Sequence, residues 1–112
     1  MTHDTLRFPP DGVQLSADAR AALDEFAARI KAEGKPVFIE IQGHTDSRGE
    51  AAYNERLGLQ RAEAVRGYLH RQGGLPLARM ATISYGESAP VADNRTRDGR
   101  MQNRRVVLVV LR

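Results

Sequence analysis

The spacing of apolar positions along this chain switches between every second residue and every third or fourth, and each switch marks a change of element. "TLRFP", residues 5–9, alternates and is halted by Pro9 and Pro10. That predicts a short strand at or near a sheet edge, because proline cannot donate to a ladder. Ala19, Leu23, Phe26, Ala27 and Ile30 then recur at helical spacing between Ser16, a capping residue, and Gly34, which predicts a helix. In "VFIEIQG", residues 37–43, Val37, Ile39 and Ile41 share one face, as in a strand with one buried side. The helical period returns from about Asn54 to Gln72, with Leu57, Ala64, Val65, Tyr68 and Leu69 inward and Gly73-Gly74 as the stop. "ATISYG", residues 81–86, reads as a third strand. The polar stretch from Glu87 to about Arg105 is long for a loop and has room for a short helix capped by Thr96. "VVLVVL", an unbroken run closing the chain, suits a strand inside its sheet rather than at its edge. The order β-α-β-α-β-β predicts an α+β fold, a two-layer α/β sandwich with helices on one face of a mixed sheet.

Composition narrows the chemistry. A chain of 112 residues is expected to form one domain, residues 1–112 with a core from about 5 to 111, able to fold without metals or disulfides. Hydrophobic residues at 41% and charged residues at 28% are ordinary for a globular protein. The absence of cysteine excludes disulfides, thiolate nucleophiles and Cys-ligated zinc. His3, His44 and His70 have no metal-ligand spacing and no P-loop motif is present, so no metal and no cofactor is expected. The longest apolar run is six residues, against the roughly 20 that a membrane helix needs. "MTHDTLRFPP" lacks the regions of a signal peptide. An exported parent would therefore contain this chain as a part, and any membrane attachment would come from segments outside it.

One residue interrupts the second helix. Leu57, Arg61, Ala64 and Tyr68 follow the spacing of one face, so Arg61 projects toward the sheet or its rim. An unpaired, partly desolvated guanidinium costs several kcal/mol, so a carboxylate is expected nearby. Asp46 is the candidate, since it lies in the turn between the second strand and this helix. Asn54, two helical turns before Arg61, faces the same side. Either Asp46 and Arg61 pair as a buttress, or a zwitterionic ligand sits between them, its ammonium on Asp46 and its carboxylate on Arg61. Gly43 and Gly49 would let such a ligand approach the backbone.

"GHTDSRG…YNERLGLQRAEAVRGYL…YGESAPVADN…T…GR…NRR" strongly resembles the OmpA-like domain, the peptidoglycan-associating module of the OmpA, Pal and MotB proteins, from about Phe8 to the last strand. The resemblance implies non-catalytic binding of peptidoglycan through meso-diaminopimelate of the stem peptide, anchoring a membrane-associated parent to the wall in a Gram-negative-type periplasm. It assigns the ligand to Asp46 and Thr45 of the GHTD turn, to Arg61 and Asn54 of the helix, and to Arg104 of the NRR block. Arg105 is left to solvent or a structural ion pair. Two departures stand out. Leu57-Gly58 replaces the usual Leu-Ser, at a cost of about 0.5–1 kcal/mol for glycine within a helix. Asp11 stands near the place of an asparagine that contacts ligand in many members, and is taken as its replacement. A homodimer stays open as a further partner.

Other readings compete. His44 beside Asp46 suggests acid–base chemistry, but no serine or cysteine nucleophile stands in a recognisable setting, so no enzyme is expected and His44 is assigned a turn-fixing hydrogen bond. Tyr53 and Tyr85 are expected at the core margin with their hydroxyls outward. The rival function is nucleic-acid or other polyanion binding through Arg95, Arg97, Arg100, Arg104 and Arg105, consistent with a net charge of +3. Against it, the cluster has no aromatics to stack on bases and the chain is 5% aromatic.

Overall fold

The computed structural model describes residues 2–112. Strand β1 (Thr2–Arg7), helix α1 (Ala17–Ala32), strand β2 (Phe38–His44), helix α2 (Ala51–Arg71), strand β3 (Met80–Gly86), helix α3 (Arg97–Asn103) and strand β4 (Arg105–Leu111) follow in order, with a 3₁₀ turn at Leu77–Arg79 before β3. The sheet order is β1-β4-β2-β3. β4 runs antiparallel to both neighbours while β2 and β3 are parallel, so the fold is α+β with a mixed sheet. The continuous apolar run of β4 is inside the sheet, and β1 is at an edge, as their patterns require.

Local chemistry sets the boundaries. The Ser16 hydroxyl accepts the Ala19 N–H at 3.0 Å and starts α1. Ala19, Leu23, Phe26, Ala27 and Ile30 are the buried face of that helix. β1 begins before the expected "TLRFP" and stops at Arg7, although the Phe8 N–H still reaches the Arg104 carbonyl at 2.9 Å before the prolines intervene. α2 starts at Ala51, a turn ahead of Asn54, because its first turn is exposed and carries no apolar period. Its inward side is Leu57, Gly58, Arg61, Ala62, Val65 and Leu69. Ala62 therefore holds the place expected of Ala64, and Ala64 and Tyr68 are half-buried. Ala27, Phe26, Val65 and Leu69 from the helices join Ile39, Ile41, Val106, Leu108 and Val110 from the sheet in one core.

The two glycines questioned above belong to this packing. A methyl group added at Gly43 of β2 would overlap the Gly58 carbonyl of α2, and one at Gly58 would overlap the Ser84 hydroxyl of β3. Gly43 thus brings helix and sheet together instead of opening the backbone to a ligand, and Gly58 is a spacing requirement as well as a propensity cost. Gly58→Ala should consequently fail to raise the thermal midpoint, despite about 0.5–1 kcal/mol of helix propensity in its favour. A rise of several degrees would show the contact with Ser84 to be loose.

Candidate functional site

β2 ends in a bulge, where Gly43 pairs with Ser84 but His44 pairs with Gly86. The extra residue on β3 redirects the chain, and the Thr45 N–H takes the Gly86 carbonyl at 2.8 Å. Asp46 follows, with Oδ1 accepting the Arg48 N–H at 3.0 Å. Gly49 at φ 89° completes the turn. The Asn54 amide braces it from inside α2, donating to the Arg48 carbonyl and to Glu87 Oε1, each at 2.9 Å.

Arg61 is 0% exposed, and among the described residues no carboxylate is ion-paired to it, although Asp46 and Asp11 act on it through space. Nε donates to the Gly12 carbonyl at 2.8 Å, Nη1 to His44 O at 3.0 Å and Nη2 to Pro9 O at 2.8 Å. Its guanidinium also lies over the Phe8 ring, 5.3 Å from the centroid. Of the two alternatives, the direct Asp46–Arg61 buttress is not formed, because backbone carbonyls of the 9–12 loop and the end of β2 converge on the fork and take the place of the acid. Burial first, and then neighbouring Arg104, pull the Arg61 pKa down to about 10, which leaves it charged at neutral pH.

Asp46 pairs instead with Arg104, Nη1 to Oδ2 at 3.2 Å, both side chains about nine-tenths buried. Arg104 caps α3 and anchors itself through Nε to the Phe8 carbonyl at 3.0 Å. Pro10, Asp11, Thr45, Asp46, Arg48, Asn54, Leu57, Arg61 and Arg104 surround one recess of about 240 Å³. All six residues singled out in the sequence for ligand binding thus meet there. Asp11 sits on its rim at φ 54° and accepts the Tyr53 hydroxyl at 3.0 Å. Arg48, Leu57 and Pro10 were missed. Arg48 lies within the GHTDSRG block and could have been found from it.

Two assignments near the recess change. His44 is 3% exposed and neither ring nitrogen has a hydrogen-bond partner. Its ring stacks on Tyr85 at 5.2 Å, so it packs the turn rather than bonding it. Burial, then Arg105, push its pKa down to about 4, which leaves it uncharged at neutral pH. Arg105 is buried too, donating to the Ala89 carbonyl at 2.9 Å and to Asn103 O at 3.3 Å, so it is neither solvent-facing nor ion-paired. It works with Asn103, whose amide bonds Val91, Ala92 and Asn94, to fold the 87–103 segment.

The same contacts commit part of the arginine cluster to the fold, while Arg97 stays exposed. Arg95 is neutralised by Asp93, Arg100 donates to the Asn94 carbonyl, and Arg104 and Arg105 are buried. Among the described residues there is no His, Cys, Asp and Glu cluster suited to a metal, and no helix is long and apolar enough to cross a membrane.

The model of the OmpA family matches residues 7–104. The peptidoglycan-associated lipoprotein of Pseudomonas putida is 44% identical over 93% of this chain and 61% of its own length. The outer-membrane lipoprotein YfiB of Pseudomonas aeruginosa is 39% identical over 87% of this chain and 56% of its own. The chain therefore spans less than two thirds of either relative. Among solved structures, the peptidoglycan-associated lipoprotein of Burkholderia pseudomallei superposes with a TM-score of 0.88 at 37% identity, covering 95% of this chain and 88% of that one.

Proposed function

The chain belongs to the OmpA family, and from that premise we propose that it is a non-catalytic module that binds peptidoglycan on the periplasmic side of a Gram-negative envelope and ties a membrane-associated parent to the wall. Its relatives are named as peptidoglycan-associated and outer-membrane lipoproteins, which supports the coarse reading. The finer one, capture of meso-diaminopimelate in the stem peptide, rests on a single observation: the carboxylates of Asp46 and Asp11 and the guanidinium groups of Arg48, Arg61 and Arg104 share a small recess.

Each oxygen of Asp46 accepts one hydrogen bond, so each has a lone pair left for an ammonium group. Arg104 Nη2 is not used by its bonds to Phe8 and Asp46 and offers two N–H groups to a carboxylate. Arg61 lies beneath as a buried positive charge. A zwitterion with its ammonium on Asp46 and its carboxylate over the two arginines matches this layout, with Thr45 and Asn54 holding the turn and Asp11 closing the rim. No nucleophile–base pair lines the recess, in keeping with binding without cleavage.

Diaminopimelate carries the ammonium and carboxylate together, whereas a lysine-type stem presents only the ammonium. Lysine would leave the arginine side without an acceptor, at about 1–3 kcal/mol, or roughly ten- to a hundred-fold in affinity. Calorimetry with matched stem peptides should show that preference, a similar loss on amidating the diaminopimelate carboxylate, and abolition of binding in Asp46→Asn. Equal dissociation constants for the two stems would remove the role given to the arginines.

A further inference from the structure

The recess lies where β2 ends. At the other end of that strand, the end of α1, the start of β2 and the connection between α2 and β3 enclose a second recess of about 370 Å³. Its interior is made by Ile30, Val37, Ile39 and Leu75, with Pro36 and Pro76 as walls. Lys31, Lys35 and Arg79 stand at its edge, all exposed. No carboxylate lines it, and none is ion-paired to these cations among the described residues. The nearby acid, Glu33, is held by Arg112 at 2.7 Å, and that bond, with a smaller through-space contribution from Lys35, keeps its carboxyl below the usual range. Phe38, Leu77 and Leu111, each about two-fifths exposed (41%, 40% and 40%), belong to the same pole. Phe38 and Leu111 are cross-strand partners there.

Exposed cations without a close ion pair, around exposed apolar side chains, match an anionic lipid surface, where ammonium and guanidinium groups meet phosphates and apolar side chains enter the acyl boundary. We infer that this pole docks on a bilayer containing anionic phospholipid. Its placement favours lipid over an acidic protein: with peptidoglycan held at one end of β2, the opposite end turns toward the membrane from which the parent reaches the wall. That orientation rests on the function proposed above, but the surface itself does not.

Co-sedimentation with vesicles tests it. The domain should bind vesicles of phosphatidylglycerol and phosphatidylcholine, should ignore pure phosphatidylcholine, and should release as salt is raised. Each basic residue near an anionic surface strengthens partition by about five-fold, so Lys31→Glu, Lys35→Glu and Arg79→Glu together should weaken binding by a hundred-fold or more. Sacculus binding by that triple variant should be unchanged, which separates this inference from the peptidoglycan reading and confirms folding. Failure to sediment with phosphatidylglycerol vesicles, undiminished sedimentation of the triple variant, or capture by soluble polyglutamate in place of vesicles would each overturn it.

Discussion

Arg61→Ala should cost about 4 kcal/mol of stability in addition to ligand binding. The side chain is wholly buried and holds the carbonyls of Pro9, Gly12 and His44 at 2.8, 2.8 and 3.0 Å. Its removal leaves those acceptors without a donor and empties the space over Phe8. Each orphaned carbonyl costs about 1–3 kcal/mol, and the cavity left by the side chain adds to that. Water can recover part of this at Pro9 and Gly12 if the loop loosens, so the sum is less than the separate costs. Urea denaturation measures the stability and sacculus pull-down the binding. Arg61→Lys separates charge from geometry, since one ammonium supplies the field but cannot reach all three carbonyls in fixed directions. If Arg61→Ala unfolds within about 1 kcal/mol of the parent, the loop does not depend on the fork.

The second large effect is a loss of stability in mild acid. His44 is buried and unbonded, and its pKa falls from the ordinary 6.5 to about 4. Between those values the unfolded chain takes up a proton that the folded chain refuses, so stability rises with pH across the window. The contribution is complete above about 6.5 and is lost as pH falls toward 4, roughly 3 kcal/mol in all. His44→Phe keeps a ring against Tyr85 and removes the titration. Its unfolding free energy should match or exceed the parent's at neutral pH and fall much less between pH 6.5 and 4. Parallel curves for the two proteins would mean the slope does not come from His44.

These two residues also show where reading the sequence succeeds and where it stops. The face of α1 and the interior place of β4 were legible because burial of apolar area imposes a period that survives translation into a list of letters. The helical spacing likewise put Arg61 on the inner side of α2. What the spacing could not give was its partners, because backbone carbonyls have no letter of their own. Pro9 and Gly12 lie 52 and 49 residues away, and only the folded path of the 9–12 loop directs their oxygens at the fork. The Asp46–Arg104 pair, separated by 58 residues, was hidden in the same way. His44 misled for the opposite reason: a histidine beside an aspartate suggests a hydrogen bond, while the bulge after Gly43 sends its ring against Tyr85. The residues assigned to the ligand line one recess because four separate segments meet at one place, and the resemblance preserves their order along the chain.

The position of β4 has a consequence for how the chain reaches its folded state. Thr2 pairs with Val110 and Phe38 with Leu111, so the last strand lies between the first and second and joins β1 to the rest of the sheet. Until residues 105–111 are available, β1 has no neighbour and β2 is paired on one side only, with the buried face of α1 lacking much of its floor. Contacts that close loops of about a hundred residues form slowly and late. A polypeptide emerging from a ribosome or threading through a translocation channel would therefore keep this segment unfolded, and able to keep threading, until residues 105–111 had passed. If the chain is exported as proposed, that topology delays collapse until its last strand has crossed.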